Sequence, residues 1–381
     1  MIRGIAVLGI FLVNMPYFHS PGAEYPFTWW SGKLDAAVYI LIDVFAQASF
    51  YPLFAFLFGF GAVLLKESAL RKGISFPKLF LRRLLILWLF GCIHAFLIWH
   101  GDILITYAVF GVLLIYCLKW SGKKLISIGA WSGIIFTAVL SLLFLFAALA
   151  SPETGRPVND TYELHQTMEI YREGTFKEIF SERFREWYKV NNPAYAPILF
   201  FSIFPMLLLG AGFAKRGWLS DVPSHRKLLS RISAITLLIA MIVKWLPYYT
   251  EYNFLTLFLQ DSIGGPLLSI GYAAGFALLL QNEKVRHILS PAAAVGRMSI
   301  SNYLLQSIVC TFLFYSYGFG AYGSLTLTEG TLLALFIYGA QLAGSWLWLR
   351  RFRLGPVEYL WRYGTYGERP QMKRVKSGES S

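Results

Sequence analysis

The sequence has 381 residues, of which 56% are hydrophobic and 14% are charged, and its formal net charge is +13 at pH 7. Soluble domains carry about 25% charged residues, so this composition excludes an ordinary soluble globular protein and indicates several membrane spans. The positive charge does not require a nucleic-acid partner, and none is expected. Lysines and arginines collected on alternate loops anchor a polytopic protein at its cytoplasmic face.

Ten segments are apolar enough, or nearly so, to form the helix of about 20 residues that crosses a bilayer. Because hydrocarbon offers no partners for backbone polar groups, these segments predict an all-α polytopic helix bundle. The first segment begins almost at Met1, so either the true start lies upstream or this helix is short. The predicted spans are 2–18, 48–65, 82–99, 102–118, 124–150, 197–214, 231–249, 263–282, 293–316 and 329–349.

Basic residues are distributed unevenly between the predicted loops, and this imbalance predicts the orientation of the chain. The loop after the second span carries six lysines or arginines, whereas the hairpin tip and the loops near 250–262 and 317–328 carry none. Short loops rich in lysine and arginine stay on the cytoplasmic side. One assignment fits every short loop, namely ten spans with both termini cytoplasmic.

Residues 1–362 are therefore predicted to form a single transmembrane bundle. An extracytoplasmic loop at 151–196 is inserted between spans five and six. Its middle, 161–190, is predicted to form one or two amphipathic helices that either lie on the membrane surface or cap a site. The remaining predicted segments are two interfacial helices and a disordered basic cytoplasmic tail (35–47, 355–362 and 363–381).

The run Arg82–Tyr107 is predicted to be a transmembrane hairpin with one ionisable residue, His94, inside it. An ionisable group in a membrane is costly and is a functional candidate, and a neutral imidazole is a proton acceptor near working pH. The alternative is a histidine that hydrogen-bonds between helices and serves packing alone. Asp102 either caps the second helix of the hairpin or orients His94. His100, at the tip, is expected to be solvated.

The ninth span carries a polar stripe whose members recur at i+3 and i+4 spacing: Ser299, Asn302, Gln306 and Cys310. Such a stripe must face protein or a water-filled cavity rather than lipid. Arg297, near the predicted cytoplasmic end, can hold a phosphate or a carboxylate. The alternative is interhelical hydrogen bonding with a snorkelling arginine. A smaller stripe in the tenth span is positioned to meet it (Gln341 and Ser345).

No motif of a soluble enzyme is present: the sequence has no P-loop, no GxGxxG, no GxSxG and no HExxH. The six histidines are scattered, which argues against a transition-metal site, and no metal is expected. The three cysteines lie inside apolar runs and suit packing rather than a disulfide framework (Cys92, Cys117 and Cys310).

Five segments together resemble the YeiB-like family of bacterial inner-membrane proteins, a domain of unknown function. The resemblance covers nearly the whole chain, and the hairpin and the last two segments are the most specific. The segments are RGIAVLGIFLVNMP, LFAFLFGFGAVLL, GCIHAFLIWHGDILITYAVFG, GRMSISNYLLQSIVCTFLFY and WLRRFRLGPVEYLWR. Within this resemblance, His94 is similar to the family's own hairpin histidine.

The YeiB-like family is grouped with transmembrane acyltransferases such as the lysosomal heparan-glucosaminide N-acetyltransferase. Those relatives open with an Arg-Gly pair followed, eleven residues after the arginine, by His or Asn, and that spacing gives Arg3 and Asn14 here. In the heparan enzyme an Asn and a downstream His serve acetyl transfer; Asn14 matches, and His19 matches loosely. The resemblance implies acyl transfer from a cytoplasmic acyl-CoA to an acceptor on the outer side.

The resulting hypothesis is a multi-pass acyltransferase of a bacterial inner membrane. It assigns catalysis to His94 as general base, Asp102 as its helper, and Asn14. Substrate binding is assigned to Arg3, His19, Arg297, Asn302 and Gln306. The basic face of Lys78, Arg82 and Arg83 either attracts the CoA phosphates or is a plain positive-inside anchor. Expected partners are the lipid bilayer, acyl-CoA and a glycan or lipid-linked acceptor, with homo-oligomerisation left open.

Two alternatives use the same features differently. A transporter or exporter of a small polar or lipid-linked molecule would use the polar stripe as its path, although transporters often show repeats and broken helices, neither of which is clear in the sequence. A non-catalytic membrane protein would instead bind a partner through the loop 151–196.

Overall fold

The computed structural model describes residues 1–21, 29–150, 161–250 and 253–374, and these ranges contain helices and no β-strand. The predicted all-α helix bundle is confirmed. The helices are α1 (Ile2–His19), α2 (Lys33–Phe45), α3 (Phe50–Arg71), α4 (Phe76–Ile93), α5 (Leu104–Cys117), α6 (Gly122–Ala150), α7 (Thr161–Glu173), α8 (Phe176–Asn191), α9 (Ala196–Lys215), α10 (Arg226–Lys244), α11 (Leu246–Tyr249), α12 (Phe254–Leu259), α13 (Gly265–Leu279), α14 (Glu283–Ile288), α15 (Ser290–Arg297), α16 (Ser299–Phe314), α17 (Leu327–Arg351) and α18 (Pro356–Tyr366).

Seven helical stretches of the described chain are long and apolar enough to cross a membrane, with mean hydropathies between 1.3 and 2.5. Helices α5 and α16 are apolar but shorter. Helix α10 matches the seventh predicted span, yet it carries four basic residues and is not among the seven. The chain is thus a membrane protein with several spans. The count of ten and the cytoplasmic position of both termini stay predictions.

The helices differ in how much of their surface other helices cover. Helix α6 has the highest mean hydropathy, 2.5, but only 6% of its most apolar stretch is buried inside the protein. A helix that is apolar on every side and open to its surroundings suits contact with lipid. Helix α9 is the opposite case, with 61% of the corresponding stretch buried. It packs between α3 and α6.

Close contact between α3 and α9 depends on two glycines. A Cβ atom at Gly210 would lie 1.8 Å from the Phe56 carbonyl oxygen, and one at Gly59 would lie 2.0 Å from the Leu207 carbonyl oxygen. Helix association in membranes relies on such small residues, because lipid gives no hydrophobic drive for helices to pair. The two backbones therefore approach where neither carries a side chain.

Replacing Gly210 with alanine is expected to destabilise the protein by about 1–3 kcal/mol, because the added methyl overlaps the backbone of α3. Gly339→Ala on α17 is the matched control, since nothing lies within 4 Å of a Cβ there. That change should be neutral or slightly stabilising, because alanine favours helix over glycine. Unfolding in detergent measures both. Equal effects of the two substitutions would contradict the described contact.

The helices expected at 161–190 are α7 and α8. The start of α8 is a capping box, in which the Thr175 amide donates to Glu178 Oε2 at 2.7 Å and the Glu178 amide donates to Thr175 Oγ1. Helix α8 packs on the end of the His94 hairpin. That contact is with the bundle; the capping of a site by this segment stays a prediction.

The disordered tail predicted from residue 363 needs correction. Helix α18 continues through Tyr366, and beyond it Phe352 and Lys373 form an antiparallel bridge. The prediction is wrong for 363–374, because a polar and basic composition does not reveal backbone pairing with the end of α17. The remainder, 375–381, lies outside the described residues.

Candidate active site

The hairpin forms as predicted, and His94 lies where its first helix changes character. Helix α4 ends at Ile93, and His94–Ile98 form a single π-helical turn whose Trp99 amide donates to the His94 carbonyl at 2.7 Å. The chain then reverses at Gly101, where a Cβ atom would lie 2.1 Å from the Trp99 ring. Isolated π turns in α-helices are frequent at functional sites.

Both ring nitrogens of His94 have side-chain partners. The Nδ1 atom is 2.9 Å from Asp102 Oδ1, and the Nε2 atom is 2.8 Å from Ser307 Oγ on α16. The His94 side chain is fully buried, and its ring centroid is 4.8 Å from that of Tyr303. The imidazole is therefore held by polar groups from the hairpin and from a distant helix, not by aliphatic side chains or lipid.

Asp102 fills both roles that the sequence left open. Its Oδ1 atom accepts from His94, while its Oδ2 atom accepts from the Ile105 amide at 2.8 Å and so caps the start of α5. An ionised carboxylate can only accept hydrogen bonds, so the proton of a neutral His94 belongs on Nδ1. The Nε2 lone pair then faces Ser307. This is the base-and-orienter geometry found in acid–base catalysis.

A cavity of about 400 Å³ opens between α1, α3, α4, α5 and α16. Most of its wall is apolar, with Arg3, Arg83 and Trp361 among its lining residues at one end and Ile103 and Tyr303 at the other. Its volume lies within the range of small-molecule sites, about 300–1,000 Å³. An elongated, mainly apolar ligand with a charged end fits this wall.

A second cavity, of about 150 Å³, lies at the hairpin tip, with Gly101 in its wall. It shares Ile103 and Tyr303 with the large cavity, and Asn14 and Asp102 also line it. Arg3 and Asn14 are eleven residues apart on α1, a helical rise of about 16 Å. We call these two cavities, which share Tyr303 in their walls, the path; Arg3 lines one and Asp102 the other, and neither His94 nor Ser307 is among their lining residues.

Two arginines line the large cavity, which is the wide end of this path. The Arg83 guanidinium lies 3.6 Å from the centroid of the Trp361 ring, a cation–π contact that holds it at the wall of the large cavity. Arg3 lines the same cavity and makes a long contact of 3.4 Å with the Leu57 carbonyl oxygen. Arg82, the neighbour of Arg83, instead donates to the Gly364 carbonyl at 3.0 Å. Arg3 and Arg83 thus have donors to offer an anion.

The predicted polar stripe on α16 does meet the smaller stripe on α17, but it does so inside the protein. Asn302 Nδ2 donates to Ser345 Oγ at 3.0 Å, and Gln306 Nε2 donates to Gln341 Oε1 at 2.8 Å. Neither Asn302 nor Gln306 lines either cavity. Both side-chain amide groups donate to α17 rather than into a cavity, as the interhelical alternative expects.

Gln306→Leu is expected to destabilise the bundle by about 1–2 kcal/mol, because it leaves the buried Gln341 Oε1 atom without its donor. The double variant with Gln341→Leu should recover part of that loss, since no polar atom of this pair stays unpaired. Thermal unfolding in lipid nanodiscs measures the stability of the wild type, of the two single variants and of the double variant. Strict additivity of the two single changes would contradict a direct pair.

Two further predicted binding residues lie away from the cavities. Arg297 is exposed and donates to the Arg353 carbonyl oxygen at 2.9 Å, so it does not line the path. His19 is buried among aromatic rings, with centroids 5.6 Å from Phe314 and 5.9 Å from Trp30. Neither ring nitrogen of His19 hydrogen-bonds to another residue in the described part of the chain. The structure brings neither residue to His94.

Ser307 and Tyr303 contact His94, although the sequence pattern did not single them out. They lie on one i, i+4 row of α16 that begins at Ser299, and Ser299 and Tyr303 both line the large cavity. Tyr303 also donates to the Gly101 carbonyl oxygen at 2.9 Å, which ties α16 to the hairpin tip. The sequence could have indicated this row, because Ser307 is another small polar residue inside a span.

Helix α8 closes the far end of the hairpin. Arg183 is fully buried and donates to the Leu97 carbonyl at 2.9 Å and to the Tyr317 hydroxyl at 2.8 Å. Glu186 Oε2 lies 2.8 Å from His100 Nδ1, so His100 is not simply solvated as predicted. Burial favours a raised pKa for Glu186, but His100 and the Tyr171 hydroxyl outweigh it and hold the pKa below its usual range.

Because the pKa of Glu186 is lowered in the fold, its contribution is present above the usual carboxyl range and is lost as the pH falls through the lowered value. We therefore expect α7 and α8 to become more sensitive to protease below about pH 4. Limited proteolysis across pH in nanodiscs measures this. In Glu186→Gln the increase in protease sensitivity at low pH should be smaller. An unchanged increase would show that other groups hold α7 and α8 in place.

Fold and site together define a polytopic α-helical membrane protein with a buried His–Asp pair whose aspartate lines a cavity of the bundle. A family model described as "Protein of unknown function (DUF418)" matches residues 213–368. The chain is 37% identical over 392 residues to "Uncharacterized protein YxaH" of Bacillus subtilis (strain 168), covering 99% of this chain and 96% of that protein. It is 30% identical over 376 residues to "Uncharacterized protein YeiB" of Escherichia coli (strain K12), covering 95% and 94%. The chain belongs to this YeiB-like family, as the resemblance predicted.

Proposed function

We propose that this protein is a membrane-embedded acyltransferase. It moves an acyl group from a cytoplasmic acyl-CoA to an acceptor on the outer side of a bacterial inner membrane. The observation that carries the proposal is the position of the His94–Asp102 pair. Asp102 of that pair lines the small cavity, which shares Ile103 and Tyr303 with the large cavity that Arg3 and Arg83 line.

The wide end of the path suits the donor. Acyl-CoA combines several phosphate charges with a long, thin thioester arm. Guanidinium groups bind phosphates through charge-assisted hydrogen bonds, and Arg3 and Arg83 lie at the predicted cytoplasmic end. The apolar wall between them and Tyr303 suits the arm and the acyl chain. Among the described residues, Arg3 and Arg83 are the only charged side chains that line the large cavity, so the charged part of the donor stays near them.

The deep end of the path suits the transfer. His94 Nε2 takes the proton from a hydroxyl or amine as that group attacks the thioester carbonyl, and Asp102 stabilises the resulting imidazolium. Asn14, in the wall of the small cavity, is positioned to orient the carbonyl or the acceptor. The leaving CoA thiolate recovers the proton from His94. An outer glycan or lipid-linked hydroxyl would approach from the end closed by α8.

The experiment uses the full chain purified in nanodiscs, with acyl-CoAs from acetyl to palmitoyl as probes. Binding is measured by calorimetry, and free thiol is measured with and without candidate acceptors. We expect binding that depends on Arg83, and thiol release that depends on His94. Absence of binding for every chain length would overturn the proposal.

A second candidate, transport of a small polar or lipid-linked molecule, is favoured by a separate observation. A π-helical turn, Gln260–Gly264, interrupts the helix between α12 and α13. Beside it the fully buried Lys244 donates to the Gln47 carbonyl at 2.8 Å and lies 3.4 Å from Asp261 Oδ1. Interrupted helices with buried ionisable groups mark many transport paths. Solute flux in proteoliposomes that is lost in Lys244→Met but kept in His94→Gln would support transport over acyl transfer.

A further inference from the structure

The Nε2 side of His94 points to a role beyond that of a base. Ser307 Oγ lies 2.8 Å from Nε2, and the opposite nitrogen lies 2.9 Å from Asp102 Oδ1. The serine, the imidazole and the carboxylate therefore form one continuous chain of hydrogen bonds. All three side chains are buried, and of the three only Asp102 lines one of the two cavities.

Proton placement along this chain has one consistent solution when His94 is neutral. Asp102 accepts from both His94 and the Ile105 amide, so the imidazole proton stays on Nδ1. The bare Nε2 atom must then accept from the Ser307 hydroxyl. A hydroxyl that donates to a histidine, itself held by a carboxylate, is the arrangement that activates a serine nucleophile.

Resting on the proposed acyltransferase function, we propose that Ser307 is the nucleophile that carries the acyl group as a covalent ester between donor and acceptor. A covalent relay answers a physical problem of this site. The charged CoA stays at the mouth beside Arg3 and Arg83, whereas the acceptor comes from the other side. A small acyl group held on Ser307 needs neither substrate to cross the bundle.

The steps balance as two acyl transfers. In the first, Ser307 Oγ attacks the thioester carbonyl while His94 Nε2 takes the hydroxyl proton; the C–S bond breaks, and the CoA thiolate leaves with that proton. In the second, an acceptor hydroxyl gives its proton to His94 as its oxygen attacks the ester. The bond to Ser307 breaks, and Ser307 Oγ regains the proton.

Tyr303 controls access to this centre. It lies one turn before Ser307 on α16, lines both cavities and covers the His94 ring at 4.8 Å between centroids. Within the proposal, the Tyr303 ring moves aside to let the thioester carbonyl reach Ser307 Oγ. The hydroxyl bond from Tyr303 to the Gly101 carbonyl, 2.9 Å, holds the ring in its closed position.

The test is to trap the ester. The nanodisc protein is incubated with radiolabelled acyl-CoA and no acceptor, quenched in acid, and mapped by mass spectrometry. We expect label on the peptide containing Ser307, and a loss of roughly 10³-fold or more in thiol release for Ser307→Ala. Ser307→Cys should instead collect a thioester that neutral hydroxylamine cleaves, whereas the wild-type ester resists that reagent.

Ser233→Ala is the matched control, because that serine is buried on α10 and donates to the Gly271 carbonyl at 3.1 Å, away from the site. It should label like the wild type. Unlabelled wild-type protein whose thiol release needs the acceptor, together with an active Ser307→Ala, would overturn the covalent relay and leave direct transfer through His94 standing. Failure of every acyl-CoA to bind would remove the underlying function as well.

Discussion

Replacing His94 with glutamine is expected to lower acyl-CoA turnover by about 10²–10⁴-fold, the usual contribution of a general base. Glutamine keeps a polar side chain in the buried site but cannot take up a proton at working pH. Donor binding should change little, because His94 is not in the wall of the large cavity. Turnover and donor affinity are measured separately by thiol release and calorimetry.

The control for this change is His287→Gln, since His287 is exposed on α14, away from the cavities. It should keep full turnover. A His94→Gln protein that folds, binds the donor and turns over normally would contradict the proposed role of the imidazole and favour packing alone.

Asp102→Asn separates the two roles of that carboxylate. Asparagine caps helices about as well as aspartate, so the start of α5 and the stability of the fold should be largely kept. Without the carboxylate, however, nothing fixes the imidazole proton of His94 on Nδ1. Turnover should therefore fall, while the melting temperature changes little. If turnover and melting temperature are both kept, Asp102 serves capping only.

Replacing Arg83 with alanine is the second change with a large expected effect. Loss of a charge-assisted hydrogen bond to a phosphate of about 1.5–3 kcal/mol should weaken acyl-CoA binding by about 10–100-fold. The affinity of the wild type should also fall with added salt more steeply than that of the variant, because one fewer charge pair is screened. Calorimetry at two salt concentrations measures both effects.

Arg297→Ala provides the sharp comparison. Arg297 is also basic and also near the predicted cytoplasmic side, but it is bonded to the Arg353 carbonyl and does not line the cavity. We expect donor affinity within about twofold of the wild type for this variant. Equal losses in Arg83→Ala and Arg297→Ala would indicate general attraction by a basic surface rather than a built phosphate site.

Composition and hydrophobic runs predicted the all-α bundle and the short helices beside it, because apolar length and capping residues act locally. The His94 hairpin could be predicted from the sequence equally well. A run with one ionisable group and a Gly-Asp tip brings its two ends together by covalent connection alone, so Asp102 had to lie near His94.

The side of the site that α16 contributes could not be predicted from the sequence in the same way. The stripe of Asn302 and Gln306 and the row of Tyr303 and Ser307 both satisfy helical spacing on α16. Which of them faces the hairpin depends on the rotation of that helix in the bundle, which contacts with α1 and α17 decide. The position of Arg297 also depends on how its helix packs: it was predicted to lie in the site, but it lies away from the cavities. Arg83, which the sequence offered only as part of a basic face, lines the large cavity.

The most direct test of the central claim is a cryo-electron microscopy structure of the protein in nanodiscs with a non-hydrolysable acetyl-CoA analogue. We expect phosphates against Arg3 and Arg83, and the acyl carbonyl beside Tyr303 and Asp102, within reach of the His94–Ser307 pair. An analogue bound elsewhere on the protein, with the path from Arg3 to Asp102 empty, would contradict it.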